Sequence, residues 1–156
     1  FYGPPGLSNS AVNLLVFENL AKHKKVRWLI NPKALHSFTY VPDAARALYY
    51  LATNENAFGQ TWHMPTANHP LTGEEIIREA AKQMGGTASY SIISKGMMRL
   101  AGLFNRTIKE LVEMSYQNEF QYIFDSSKFN KAFNFAPTPY LAGIRQTARW
   151  VLDQQR

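Results

Sequence analysis

The feature that most limits this chain's fold is an alternation of short apolar runs with capped amphipathic segments, each boundary marked by proline, glycine or a capping residue. Val26-Arg27-Trp28-Leu29-Ile30 is a strand-like run closed by Asn31-Pro32, and 36–41, 60–64, 89–93 and 122–124 read the same way. Between them lie helical patterns. Ser10 caps a helix over 11–24 with Val12, Leu15, Val16 and Asn19 on one face and Glu18 and Lys22 paired on another. Pro42 and Asp43 open a helix with a stripe of Ala44, Ala47, Leu48 and Leu51. Thr72-Gly73-Glu74-Glu75 is a capping box for a helix that stops at Gly85-Gly86.

The second half continues the pattern. Ser94 opens a helix whose buried face is expected to be Met97, Leu100, Ala101 and Phe104. Thr107-Ile108-Lys109-Glu110 reads as a second capping box, with Ile108, Leu111, Val112 and Ser115 packing inward. Asp125 caps a brief helix over 126–133. Pro137-Thr138-Pro139 precedes a last helix that packs through Leu141, Ile144, Ala148 and Val151. Strands alternating with helices define an α/β class. At 156 residues the chain is expected to be a single domain spanning 1–156.

Composition removes several functions. With 46 % hydrophobic residues the chain fills a core, so intrinsic disorder is not expected. No run approaches the roughly 18 apolar residues of a membrane span, and no membrane partner is expected. There is no cysteine, which excludes disulfides and thiolate metal sites and fits a cytoplasmic protein. The net charge of +6 invites a nucleic-acid reading. Its one dense cluster, Lys22-His23-Lys24-Lys25, closes a helix, where the dipole favours cations, so no nucleic-acid partner is expected. The four histidines lie far apart in sequence and no metal site is expected. No G-x-G-x-x-G or G-x-x-x-x-G-K turn is present. The opening Phe1-Tyr2-Gly3-Pro4 reads as a strand end entering a loop, as in a piece of something longer.

Four segments stand in a telling order: Tyr2-Gly3-Pro4, then His36-Ser37-Phe38-Thr39-Tyr40-Val41-Pro42-Asp43, then Gly59-Gln60-Thr61-Trp62-His63-Met64-Pro65, and last Phe124-Asp125-Ser126-Ser127-Lys128, with Phe133-Asn134-Phe135-Ala136-Pro137, Gly143-Ile144 and Trp150 after it. Together they resemble the C-terminal half of the extended short-chain dehydrogenase/reductases, the NAD-dependent epimerase/dehydratase family. The resemblance implies the C-terminal substrate-binding portion of a Rossmann-type enzyme, helices with short strands, the nucleotide-binding half being absent. In that family the N-terminal half carries the glycine-rich NAD turn and the catalytic Tyr-x-x-x-Lys pair; here no tyrosine has lysine four residues on. The pair matters because the lysine lowers the tyrosine pKa for proton transfer while the nicotinamide takes hydride. No catalytic residue is therefore expected in this chain. The intact parent would be an NAD- or NADP-dependent epimerase, dehydratase or reductase, and this fragment alone is expected to hold neither cofactor.

The resemblance also implies a substrate wall. Where nucleotide-sugar relatives grip a diphosphate with arginine this chain has His36, and Met114 and Gln117 replace a nucleotide-holding arginine and acid. A standard UDP-sugar is thus not the expected substrate; a smaller or less anionic one, still sugar-like, is. Candidate substrate contacts are Asn9, Asn13, His36, Tyr40, Tyr116 and Gln117, and Tyr2 is the candidate contact for the nicotinamide end of a cofactor. Turn, helix or core packing is the competing role for each. The expected partners are a small molecule and the Rossmann half. Without that half the chain is expected to self-associate or to be partly disordered around 1–10 and 58–70. A standalone non-catalytic binding module built on the same half-fold is the alternative.

Overall fold

The computed structural model describes residues 1–5 and 10–155. Its centre is a pair of helices. The capping box forms as the sequence predicts: the Thr72 hydroxyl accepts from the Glu75 amide at 3.2 Å, and Glu75 accepts from the Thr72 amide at 2.8 Å. Helix α3 (Gly73–Met84) follows and ends on Gly85, whose φ of 66° is a left-handed cap that favours glycine. Ile76, Ile77, Ala80 and Ala81 are its buried face. They pack against α7 (Tyr140–Asp153), which buries Ile144, Ala148 and Val151 but leaves Leu141 exposed, contrary to the sequence reading. Gly143 lies under the Tyr2 ring and Gly73 under Trp28; in each case an added Cβ would collide with the aromatic.

The first helix completes this core with a twist the sequence does not announce. Residues 11–12 start it, Asn13–Phe17 form a π-helical turn, and α1 (Glu18–Ala21) ends it sooner than the expected residue 24. Ser10 caps it as expected, accepting from the Asn13 amide at 3.2 Å. In the π-turn the Glu18 amide reaches the Asn13 carbonyl, five residues back. That wider turn swings Asn13 and Phe17 into the core beside Val12 and Val16, while Leu15 and Asn19 are only partly covered.

The strands are short and fall into two separate sheets. β1 (Val26–Leu29) runs parallel to β4 (Tyr90–Ile93), with Val26 opposite Tyr90 and Leu29 opposite Ile93. β2 (Leu35–His36) pairs antiparallel with β3 (Leu71–Thr72). The expected strand over 36–41 stops at His36. Beyond it the backbone is claimed by single bridges: Ser37 donates to the Tyr122 carbonyl at 2.9 Å, and Tyr2 donates to the Thr39 carbonyl at 3.1 Å. Of the expected strand 122–124 only that Tyr122 bridge forms. The expected strand over 60–64 does not form either; residues 61–67 have no backbone–backbone hydrogen bond among the described residues.

A smaller core lies beside the main one. Helix α2 (Val41–Thr53) contributes Ala47, and α6 (Ser127–Ala132) contributes Phe129; its N-cap is Ser126 and not the expected Asp125, which stands one residue earlier and accepts from the Ser127 amide at 2.9 Å. Phe135 joins them, with Leu51, Trp62, Met64 and Phe133 packed around. Leu48 of the predicted α2 stripe points to solvent instead. The Asp43 carboxylate, buried at the start of α2, accepts from the Thr138 amide at 2.6 Å and the Thr138 hydroxyl at 2.9 Å. It thereby ties α2 to the segment entering α7.

Helices α4 (Lys95–Gly102) and α5 (Arg106–Glu113) form a hairpin at the edge. Ser94 caps α4 as expected, but α5 is capped by Asn105, which accepts from the Ile108 amide at 3.2 Å, and not by Thr107. The predicted inward stripe is also corrected. Met98 is the buried side chain of α4, while Met97, Leu100 and Phe104 are exposed and Ala101 is half-covered. On α5 Ile108 and Val112 are half-covered and Leu111 is exposed; Ser115, just beyond it, is buried.

Candidate functional site

Where the two cores meet, the surface opens into a cleft of about 420 Å³. His36, Phe38, Trp62, His63, Gln117 and Phe124 contribute to its lining. Each wall is fixed by local bonding. The Tyr122 amide donates to the Leu35 carbonyl at 2.9 Å, and the Phe124 amide donates to the Ser37 hydroxyl at 3.1 Å, so 122–124 is stitched along 35–37. Opposite, the Trp62 indole donates to the Ala57 carbonyl at 2.9 Å and rests against Phe129 and Phe133 at ring separations of 6.1 and 5.3 Å. Lys128 lies 4.2 Å over the same indole, a cation–π contact that also holds Thr61.

Two imidazoles face this space. His36 is only 6 % exposed, stacked on Phe38 at 5.6 Å and tilted against Tyr122 at 6.1 Å. Burial disfavours its charged form and lowers its pKa below the ordinary histidine value. His63 is exposed, and its Nδ1 lies 2.9 Å from the Asp125 carbonyl. A carbonyl only accepts, so Nδ1 carries a hydrogen and, in the neutral ring, Nε2 is the acceptor. No lining side chain among the described residues is a carboxylate, guanidinium or ammonium. The cleft thus offers aromatic faces with imidazole, amide and hydroxyl groups, a set that hydrogen-bonds hydroxyls and carbonyls without matching a formal charge. No group of three or more metal-ligating residues occurs among the described residues.

The lowered His36 pKa has a testable sign. As pH falls below about 6.5, the unfolded chain takes a proton at this histidine that the folded chain resists. Stability from this group is therefore full above that value and drains away as pH drops toward the folded pKa. Denaturation at pH 7.5 and 5.5 is expected to show lower stability at the acid end, with a smaller difference in His36→Gln. Equal slopes in the two proteins would refute the assignment.

The predicted site residues separate in space. His36 and Gln117 both line the cleft. Tyr116, beside Gln117 in the 3₁₀ turn Met114–Asn118, is exposed but outside the lining. Asn13 is not in the cleft: it is fully buried, with its Oδ1 accepting from the Gly3 amide at 3.1 Å and its Nδ2 donating to the Gly3 carbonyl at 3.0 Å. Tyr40 is buried as well and donates to the Gln146 Oε1 at 2.6 Å. Tyr2 sits in the main core, 5.3 Å from the Tyr40 ring and 6.0 Å from that of Tyr140, and its hydroxyl has no partner among the described residues. Burial, with Tyr140, Tyr40 and Asp43 nearby, pushes that phenol above its ordinary range, so it stays neutral. Asn9 lies outside the described residues. Trp62 and His63 line the cleft without being among the candidates the sequence offers. The one signal for them is an aromatic and an imidazole side by side between Gly59 and Pro65.

Solved structures resemble this fold, two of them as follows. One is UDP-glucuronic acid 4-epimerase from Bacillus cereus in complex with NAD, with a TM-score of 0.71 and 17 % identity over 99 % of this chain and 43 % of that one. The other is dTDP-glucose 4,6-dehydratase from Bacillus anthracis str. Ames in complex with NAD, with a TM-score of 0.72 and 15 % identity over 99 % of this chain and 42 % of that one. The chain spans about two-fifths of the length of these structures. No family model and no curated protein matches the sequence. At such identities the likeness is one of fold: a mixed helix and strand architecture matching the C-terminal portion of Rossmann-type extended short-chain dehydrogenase/reductases.

The described residues do not fit a dinucleotide. A pyrophosphate needs a glycine-rich crossing from a strand into a helix N-terminus. β1 runs into Ile30-Asn31-Pro32 and no helix. β4 does lead to α4, but through Ser94 alone, with no glycine in the crossing; the Ser94 hydroxyl is taken by the Met97 amide at 3.2 Å, and Lys95, the first helical residue, is paired with Glu119.

Proposed function

We propose that this chain is the substrate-binding portion of an extended short-chain dehydrogenase/reductase, an epimerase, dehydratase or reductase. Its cleft receives a small, uncharged, hydroxylated molecule of sugar-like chemistry. NAD or NADP and the proton-transfer pair would be held by an adjoining Rossmann half. The observation that carries this reading is that 99 % of the chain matches 42–43 % of two NAD-bound enzymes named for sugar nucleotides. The cleft adds support, since a lining without lysine or arginine side chains suits a hydroxylated ligand better than a diphosphate. Residues 62–64, which make no backbone–backbone hydrogen bond among the described residues, are where such a half would add a strand. Within the cleft, His36 and Gln117 would orient hydroxyls, Trp62 would cover an apolar sugar face, and His63 would accept a hydrogen bond through Nε2.

The test is ligand binding by the naturally encoded protein, followed by tryptophan fluorescence with free hexoses and nucleoside-diphosphate sugars, with and without NAD(P). His36→Ala and Gln117→Ala are each expected to weaken the preferred ligand by about tenfold, the worth of one buried hydrogen bond. Unchanged affinity in both would remove the cleft from the reading. Nicotinamide-dependent redox activity by these 156 residues alone would overturn it altogether.

A binding module without redox chemistry is favoured by one observation. Phe17, Ile77, Ala80 and Ile144 are already buried to 1 % or less within this chain, as in a self-sufficient core. Ligand binding that is indifferent to NAD(P) would decide for it.

A further inference from the structure

We infer that the α4–α5 hairpin docks on an anionic lipid surface. Leu103 and Phe104, at its tip, are 76 % and 88 % exposed. Met97 and Leu100 continue this apolar surface along α4, and α5 buries none of its residues fully. Gly102 lets the α5 backbone approach so closely that a Cβ would lie 3.1 Å from the Lys109 Cα, so the two helices present one joined surface.

The charges around this tip identify its partner. Arg99 and Lys109 line a groove of about 440 Å³ between the helices, over Gly102, Leu103 and Val112, with Glu113 its one acid. Neither cation is in an ion pair among the described residues, whereas Arg106 is held by Glu110 at 3.2 Å and Lys95 by Glu119. An apolar tip set among unpaired cations is the pattern of interfacial helices that sink leucine and phenylalanine among acyl chains and leave basic groups at phosphates. A second copy suits it poorly, because a chain of net charge +6 would bring the same cations face to face. No helix among the described residues is long and apolar enough to cross a membrane, so the contact is one of surface docking.

The experiment is co-sedimentation of the naturally encoded protein with vesicles of phosphatidylcholine, alone or with about 30 % phosphatidylglycerol. Binding is expected only with the anionic lipid, and it should weaken as ionic strength rises from about 0.05 to 0.5 M. Leu103→Glu with Phe104→Glu should abolish it. Arg99→Glu with Lys109→Glu should cut it at least tenfold, at roughly fivefold per cation removed. Lys24→Glu with Lys25→Glu, equal in charge change but away from the hairpin, should leave it within about twofold.

Absence of binding to anionic vesicles, or an equal loss in the Lys24/Lys25 variant, overturns the inference. So does undiminished binding by the Leu103/Phe104 variant. If that variant instead dissociates a dimer on gel filtration, the tip is covered by a second copy. If it lowers the melting temperature without changing vesicle binding, the rest of the polypeptide covers it. Either result also overturns the inference, and neither bears on the ligand-binding cleft.

Discussion

Phe129→Ala is expected to destabilise the protein by about 3–5 kcal/mol, the range for emptying a fully buried aromatic site. The side chain is completely buried on α6, with Phe133 at 4.7 Å, Phe135 at 5.4 Å and Trp62 at 6.1 Å around it. A helix of six residues cannot close over the hole by itself, because the Asp125 bond to the Ser127 amide and the turn at Phe133 fix both ends. For a chain of this length that cost lowers the melting temperature by roughly 10 °C. The same substitution removes the ring behind Trp62, so ligand affinity in the cleft should fall even in the fraction that stays folded. Phe129→Leu fills most of the volume and should cost less than half as much. Thermal melts with indole fluorescence read both effects. A Phe129→Ala protein that melts within about 2 °C of the parent would show that the small core does not pack as described.

Asp43→Ala is the second large effect, at about 2–4 kcal/mol. Its carboxylate is 2 % exposed and accepts three hydrogen bonds, two from Thr138 and one from Arg46 at 2.9 Å. The Thr138 pair carries the cost, because truncation leaves a half-buried amide without its acceptor. The Arg46 side chain is 56 % exposed, so that ion pair contributes little. Asp43→Asn keeps an acceptor for the Thr138 amide and loses the charge that favours the start of α2, so its cost should be about half. Thr138→Ala should account for part of the Asp43→Ala loss in a double-mutant cycle. A cycle with no coupling would separate the two residues.

Those two positions differ in how far sequence alone reaches. Asp43 beside Pro42 reads at once as a helix start, as do Thr72 with Glu75 and Gly85 at the far end of α3, because capping chemistry is local and survives whatever the fold does around it. Thr138 as the partner of Asp43 is a long-range contact that no local rule supplies. The same boundary explains the misreadings. A 3.6-residue stripe says which side chains share a face and not whether anything covers it. Met97, Leu100 and Phe104 do share one, and it is bare; Leu48 and Leu141 likewise sit beside buried neighbours and remain exposed. Asn13 and Phe17 turn inward only because the π-turn resets the period.

The candidate site divides along the same line. His36 stands in a family-like segment and Gln117 follows from its spacing before Asp125, and both line one cleft. Tyr2 and Tyr40 stand in such segments and Asn13 on the helix after the first of them, and all three are taken up by internal bonds and packing. Beyond the aromatic beside it, His63 has no local signal for a ligand role, since its distance along the chain from the other histidines speaks only against a metal site; folding sets it in the same lining as His36. Polarity in a motif marks a residue that needs a partner; whether the partner is a ligand or the protein's own backbone is decided in three dimensions.

The cleft follows the seam between two separately packed cores. Phe38 leans on the large one and Trp62 on the small one. Such units open with their own free energies, so amide protons in α6 should exchange with deuterium sooner than those in α3 and α7. A molecule gripping both walls would bind the closed arrangement alone and lend the smaller unit part of the larger one's protection. The seam would then make occupancy of the cleft audible at a distance, in slowed exchange of a helix that touches no ligand.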